Sequence, residues 1–117
     1  MPWRSTRRHR GPYYFGFGYG ADMNGFGSQG EPRGGPNPVT YPFRSYDGRV
    51  TFKRQRSGTR AYDINRDGVA HYGLYPDWVE DTRKVAGRDG PKLMREMGRG
   101  AEAYLRMWAR ARASAGP

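Results

Sequence analysis

The chain has 117 residues, carries a formal charge of +10, and contains 18 Gly, 9 Pro and no Cys. That length allows one domain at most, and without cysteine a disulfide framework, a thiolate zinc site and a thiol nucleophile are all excluded. Leu, Ile, Val and Phe together number only 14, about 12% of the chain, which is below the roughly 20% where highly charged chains tend to be disordered. Nine Tyr and three Trp partly replace the missing aliphatic surface.

Residues 1–12 form a basic arm, with Arg4, Arg7, Arg8 and Arg10 but no apolar run behind them. They lack the h-region of an export signal. Residues 13–25 contain Phe15-Gly16-Phe17-Gly18-Tyr19-Gly20-Ala21-Asp22-Met23-Asn24-Gly25. In an extended chain the three aromatics share one face, because side chains alternate with period two. The glycines leave the other face bare, open to another backbone, a helix or a ligand. The segment reads as a strand end that delivers Asp22 into a turn. Carboxyl ends of strands are where parallel α/β sheets and barrels place their chemistry; an aromatic hairpin with a turn aspartate is the competing reading.

Five glycines and prolines 32, 36, 38 and 42 make residues 26–48 a long irregular loop. Residues 49–54 alternate and predict a short strand. Asp63-Ile64-Asn65-Arg66-Asp67-Gly68 opens like a calcium loop, but the closing position, where a bidentate carboxylate belongs, is Leu74. An Asx turn fits it better. From Pro76, Trp78, Thr82 and Val85 fall at helical spacing, and Gly87 suits a stop. A second helix starts at Gly90-Pro91 with Leu93, Met94 and Met97, and a third carries Ala101, Tyr104, Leu105 and Trp108 at i, i+3, i+4 and i+7. Each apolar stripe needs a partner surface. Residues 113–117 are a tail, there is no internal repeat, and no apolar run approaches the roughly 20 residues of a membrane span.

Two binding classes follow from composition. Gly16-Phe17-Gly18-Tyr19-Gly20-Ala21 matches a dinucleotide fingerprint in form, yet a turn follows it and not a helix, so phosphate has no helix N-terminus to sit on. Arginines around an aromatic, glycine-rich stretch could instead stack bases over a cationic groove, making a nucleic-acid-binding module. The basic residues, however, are spread over separate clusters: the arm, Lys53-Arg54-Arg56, and Arg106-Arg110-Arg112.

Gly20-Ala21-Asp22-Met23-Asn24-Gly25, then His71-Tyr72-Gly73-Leu74-Tyr75-Pro76-Asp77-Trp78, then Gly100-Ala101-Glu102-Ala103-Tyr104-Leu105 together resemble the C-terminal part of membrane-dipeptidase-like metal-dependent hydrolases, which are amidohydrolase-type TIM barrels. The resemblance spans roughly residues 13–110. It implies an α/β fragment: the last strand, a long active-site loop and the C-terminal helices of a (β/α)8 barrel over residues 13–112, not a complete barrel, which takes about 250 residues. It implies metal-assisted hydrolysis of a small peptide or amide, with Asp22 as the catalytic residue, acting as proton acceptor or as anchor of the substrate amine. Ala21 and Asn24 replace the family's Ser and second Asp, and Asn24 is expected at the substrate. His71 matches no metal ligand of the family and is expected to be structural or to face the substrate from a loop. Zinc is expected for the intact family. A catalytic zinc takes three protein ligands, and the family's His-x-Asp motif, bridging Glu and later histidines have no counterpart here, so no metal ligand and no cofactor are assigned to this chain. The expected partner is the missing barrel segment or a second subunit on which the chain folds, and family members are often secreted.

Overall fold

The computed structural model describes residues 14–20 and 30–116, which fall into two compact units: 14–19 with 96–116, and 20 with 30–95. Asp22 and Asn24 lie outside the described residues.

The larger unit begins with an irregular strap, residues 30–42, and then folds two small antiparallel hairpins. β1 (Phe43–Arg44) pairs with β2 (Thr51–Phe52) in the register Phe43↔Phe52 and Arg44↔Thr51. The turn between them is closed by Gly48 N–H donating to Ser45 O at 2.9 Å. The strand expected over 49–54 is therefore two residues long, and the loop expected through 48 gives way to a strand at Phe43. Phe43 and Phe52 are cross-strand partners whose rings stack 5.2 Å apart, the kind of pair that stabilises a ladder too short to hold by backbone bonds alone. β3 (Arg56–Ser57) and β4 (Arg60–Ala61) form the second hairpin.

The segment that opens like a calcium loop is a capped helical turn. α1 (Ile64–Asp67) has Asp63 as its N-cap, with the carboxylate accepting from Asn65 N–H at 2.9 Å, and it ends at Gly68 with φ 64° and ψ −155°. The same carboxylate receives Arg54 Nε at 3.0 Å. Asp63→Ala removes the cap and the ion pair together and should cost about 1–2 kcal/mol, read as a lower urea midpoint at unchanged slope.

A one-turn 3-10 helix (Tyr72–Leu74) leads into α2 (Tyr75–Ala86), which has Pro76 in its first turn and stops at Gly87. The core of this unit is Val39, Phe43, Ile64, Val69 and Leu74, with Tyr41, Phe52, Tyr62, Ala70 and Trp78 packed around it. After a 3-10 turn (Gly87–Asp89), α3 runs over Gly90–Gly98 and buries Met94 and Met97.

In the smaller unit the main element is α4 (Gly100–Ala115). Residues 14–20 carry no regular secondary structure, so the strand expected over the aromatic alternation is not formed there: among the described residues no neighbouring strand is hydrogen-bonded to it. The bare glycine side is nonetheless used. A Cβ on Gly16 would lie 2.6 Å from the carbonyl carbon of Arg99, and one on Gly100 would lie 2.4 Å from Phe17 O, so the segment and the start of α4 approach backbone to backbone. Tyr14 completes the contact, with the Arg106 guanidinium 4.0 Å from its ring centroid and that of Arg99 at 5.6 Å.

Candidate functional site

Strap 30–42 is held by polar side chains along its whole length. Gly30 O accepts from Val69 N–H at 2.8 Å. The Arg33 guanidinium meets both Asp81 oxygens from Nε at 3.0 and 3.1 Å, while its terminal nitrogens donate to Gly34 O, Pro36 O and Asn37 O. Asn37 Nδ2 donates to Lys84 O at 2.7 Å. Asn65 pairs with both backbone groups of Val39, accepting from its N–H at 3.1 Å and donating to its carbonyl at 2.9 Å. Tyr41 Oη donates to Asp77 Oδ2 and accepts from Ile64 N–H at 3.2 Å. On α2 the anchoring positions 77, 81 and 84 follow i, i+4 and i+7 and so form one stripe. A cleft of about 210 Å³ lies between strap and helices, lined by Arg33, Gly34, Gly35, Pro38, Ile64, Asn65 and Asp81.

Tyr41 and Asp77 are the chemically distinctive pair. Asp77 is wholly inaccessible, and its second oxygen, Oδ1, is buried without a hydrogen-bond partner. Burial pushes the Asp77 carboxyl above its ordinary value of 3.8, against the lowering effect of the Tyr41 hydrogen bond. Tyr41 is pushed up as well, first by burial and then by donating to Asp77. Both shifts have one physical origin, the cost of placing charge where water cannot reach it. Asp67, half-buried at the end of α1, shows the opposite: its hydrogen bond from Arg66, the Asp63 N–H and the charge of Arg60 hold its carboxyl down to about 2.

His71 caps the 3-10 helix: its Nδ1 accepts from Gly73 N–H at 3.0 Å, and its ring meets Tyr62 edge-on with centroids 4.6 Å apart. One nitrogen is thus committed to the backbone. Among the described residues no three His, Asp or Glu side chains converge on a point that would hold a metal ion, so the zinc implied by the resemblance finds no ligand set there. No helix of the described residues is long and apolar enough to cross a membrane.

The sequence reading names Asp77 only as part of the segment His71–Trp78 and gives it no role of its own. The signal was its spacing: Leu74, Asp77 and Trp78 stand at i, i+3 and i+4 and share the face that meets the core. Comparison with protein-family models, curated proteins and solved structures gives no match for this chain.

Proposed function

We propose that this chain is the C-terminal portion of a dipeptidase-like metal-dependent hydrolase of the (β/α)8 type, contributing Asp22 and having no hydrolytic activity by itself. The observation that supports it is apolar surface left open. Tyr104, Leu105, Met107 and Trp108 of α4 are each 53–60% exposed, and an apolar helical stripe of this kind is stable in water only against a partner. The helix begins with Gly100-Ala101-Glu102-Ala103-Tyr104-Leu105, one of the three segments that carry the resemblance. A main cluster of five buried residues among the described ones, and strands two residues long, also suit a segment whose neighbours in a sheet come from elsewhere.

In this reading Asp22 accepts a proton or anchors the substrate amine, zinc is held by residues outside this chain, and strap 30–42 belongs to the loop beside the substrate. The basic, aromatic binding module is the weaker alternative. Arg106 covers the Tyr14 ring and pairs with Glu102 at 2.7 Å, and Arg54 is committed to Asp63, so aromatic faces and cations are partly spent on each other.

The test has two parts. The purified chain with zinc should hydrolyse no dipeptide. Produced together with a segment that supplies the His-x-Asp strand and the other ligands, it should form a complex that hydrolyses dipeptides, with activity lost in Asp22→Asn. Turnover by the chain alone, failure to bind that segment, or tight retention on single-stranded oligonucleotide at about 150 mM salt would each overturn the proposal.

A further inference from the structure

The Tyr41–Asp77 pair has no part in the proposed hydrolysis, and it sits where three elements meet. Tyr41 ends the strap, Ile64 N–H is the first amide of α1, and Asp77 lies in the first turn of α2. The phenol thus hydrogen-bonds the end of the strap to the first turns of both helices at once. We propose that Tyr41 and Asp77 form a proton-controlled clasp, closed while Asp77 carries a proton and opened by its ionisation.

The geometry favours the neutral acid. With Asp77 protonated, Oδ2 accepts from Tyr41, and the only unsatisfied group is one buried hydroxyl at Oδ1. With Asp77 ionised, Oδ1 is a buried anionic oxygen without a hydrogen-bond partner, and the carboxylate has only the Tyr41 hydroxyl and its own backbone N–H to lower it against burial, which costs far more than a neutral group left unpaired. The surrounding charges do not rescue it. Asp63, the cap of α1, raises Asp77 further, and His71 lowers it only as the last of its influences. Arg54 sits over the Tyr41 ring at 4.9 Å but is bound to Asp63. On α2 itself, Glu80 is paired with Arg83 and Asp81 with Arg33; on α1, Asp67 is paired with Arg66 and Arg60.

The sign follows from linkage. A carboxyl raised in the fold contributes stability that is present below its unfolded value and is lost as pH climbs through the folded value. Between those two values opening releases one proton, so the opening constant rises about tenfold per pH unit. The clasp therefore loosens toward alkali, in the window just above the ordinary carboxylate value. Asp67, held low, acts in a separate window: its contribution is lost as pH falls through about 2.

Hydrogen exchange of the Ile64 amide in the full chain, corrected for intrinsic rate and followed from about pH 4 to pH 8, reads the clasp directly. The expected result is protection that falls about tenfold per unit over part of this range, a flat profile in Asp77→Asn, and an unchanged slope in His71→Gln, which removes the imidazole. The Asp77 carboxyl carbon, followed by NMR, should titrate above the ordinary range. Parallel profiles for the native chain and Asp77→Asn, a carboxyl that titrates at or below 3.8, or an Ile64 amide unprotected at every pH would overturn the proposal. Because these readouts involve neither zinc nor dipeptide, failure of the clasp and failure of the hydrolase assignment are distinguishable.

Discussion

Gly68→Ala is expected to cost on the order of 4 kcal/mol or more, enough to abolish cooperative unfolding of the larger unit. Gly68 has φ 64° and ψ −155°, a region of backbone space that is almost reserved for glycine and costs any other residue about 1–3 kcal/mol. The added Cβ would also lie 2.2 Å from Gly30 O and 2.9 Å from both Glu31 C and Pro32 N. All three are backbone atoms, so no rotamer change relieves the clash and the strap itself must move. That movement pulls Gly30 O away from Val69 N–H, now 2.8 Å distant, for a further loss of about 1 kcal/mol. Gly58→Ala is the matched control: Gly58 has φ 59° but no atom within 4 Å of its Cβ position, so only a backbone cost of about 1 kcal/mol remains. Urea melts of the two variants should separate steric approach from conformational freedom. Equal losses at the two positions would mean that strap 30–42 does not lie against α1 as described.

The contrast explains which features were legible in the sequence. Local devices were: Pro76 and Gly87 bracket α2, Gly90-Pro91 opens α3, and Asp63 makes its Asx contact, because each depends on residues within one turn. Strap 30–42 reads as structureless because its order comes from residues far along the chain. Asn65 lies 26 positions from Val39, Asp81 48 from Arg33, and Asp77 36 from Tyr41, and composition carries no trace of such partners. The aromatic alternation at 15–19 has the period of a strand, yet residues 14–20 form none, because a strand exists only where a second backbone hydrogen-bonds to it. His71, expected to be structural or to face the substrate from a loop, is used as a backbone cap, a role in which a lone imidazole in a Gly-containing turn needs no ligand. Asp77, the more unusual group, was hidden because its spacing matches both a helix first turn and the core-facing stripe with Leu74 and Trp78.

Leu74→Ala is the second variant expected to have a large effect, and its size measures how far the chain is stable by itself. Leu74 is 0% exposed and belongs to the same cluster as Val39, Phe43, Ile64 and Val69. Truncation of a fully buried leucine costs about 3–5 kcal/mol through lost transfer energy and the cavity left behind. A domain of ordinary stability, about 5–15 kcal/mol, survives that loss with a lowered midpoint. A unit whose main cluster holds five buried residues among the described ones lies at the bottom of that range, so Leu74→Ala should leave it without a cooperative transition at 25 °C. Val85→Ala is the comparison, since Val85 is 61% exposed on α2 and its truncation should change stability by less than about 0.5 kcal/mol. If the remainder of a barrel covers α4 and completes the core, its addition should restore a cooperative transition to Leu74→Ala, because binding to the folded state alone stabilises that state by mass action. Rescue by that segment, with no rescue by zinc alone, would tie the thin core to a missing partner. Retention of a cooperative transition by Leu74→Ala in isolation would instead identify the larger unit as an autonomous domain.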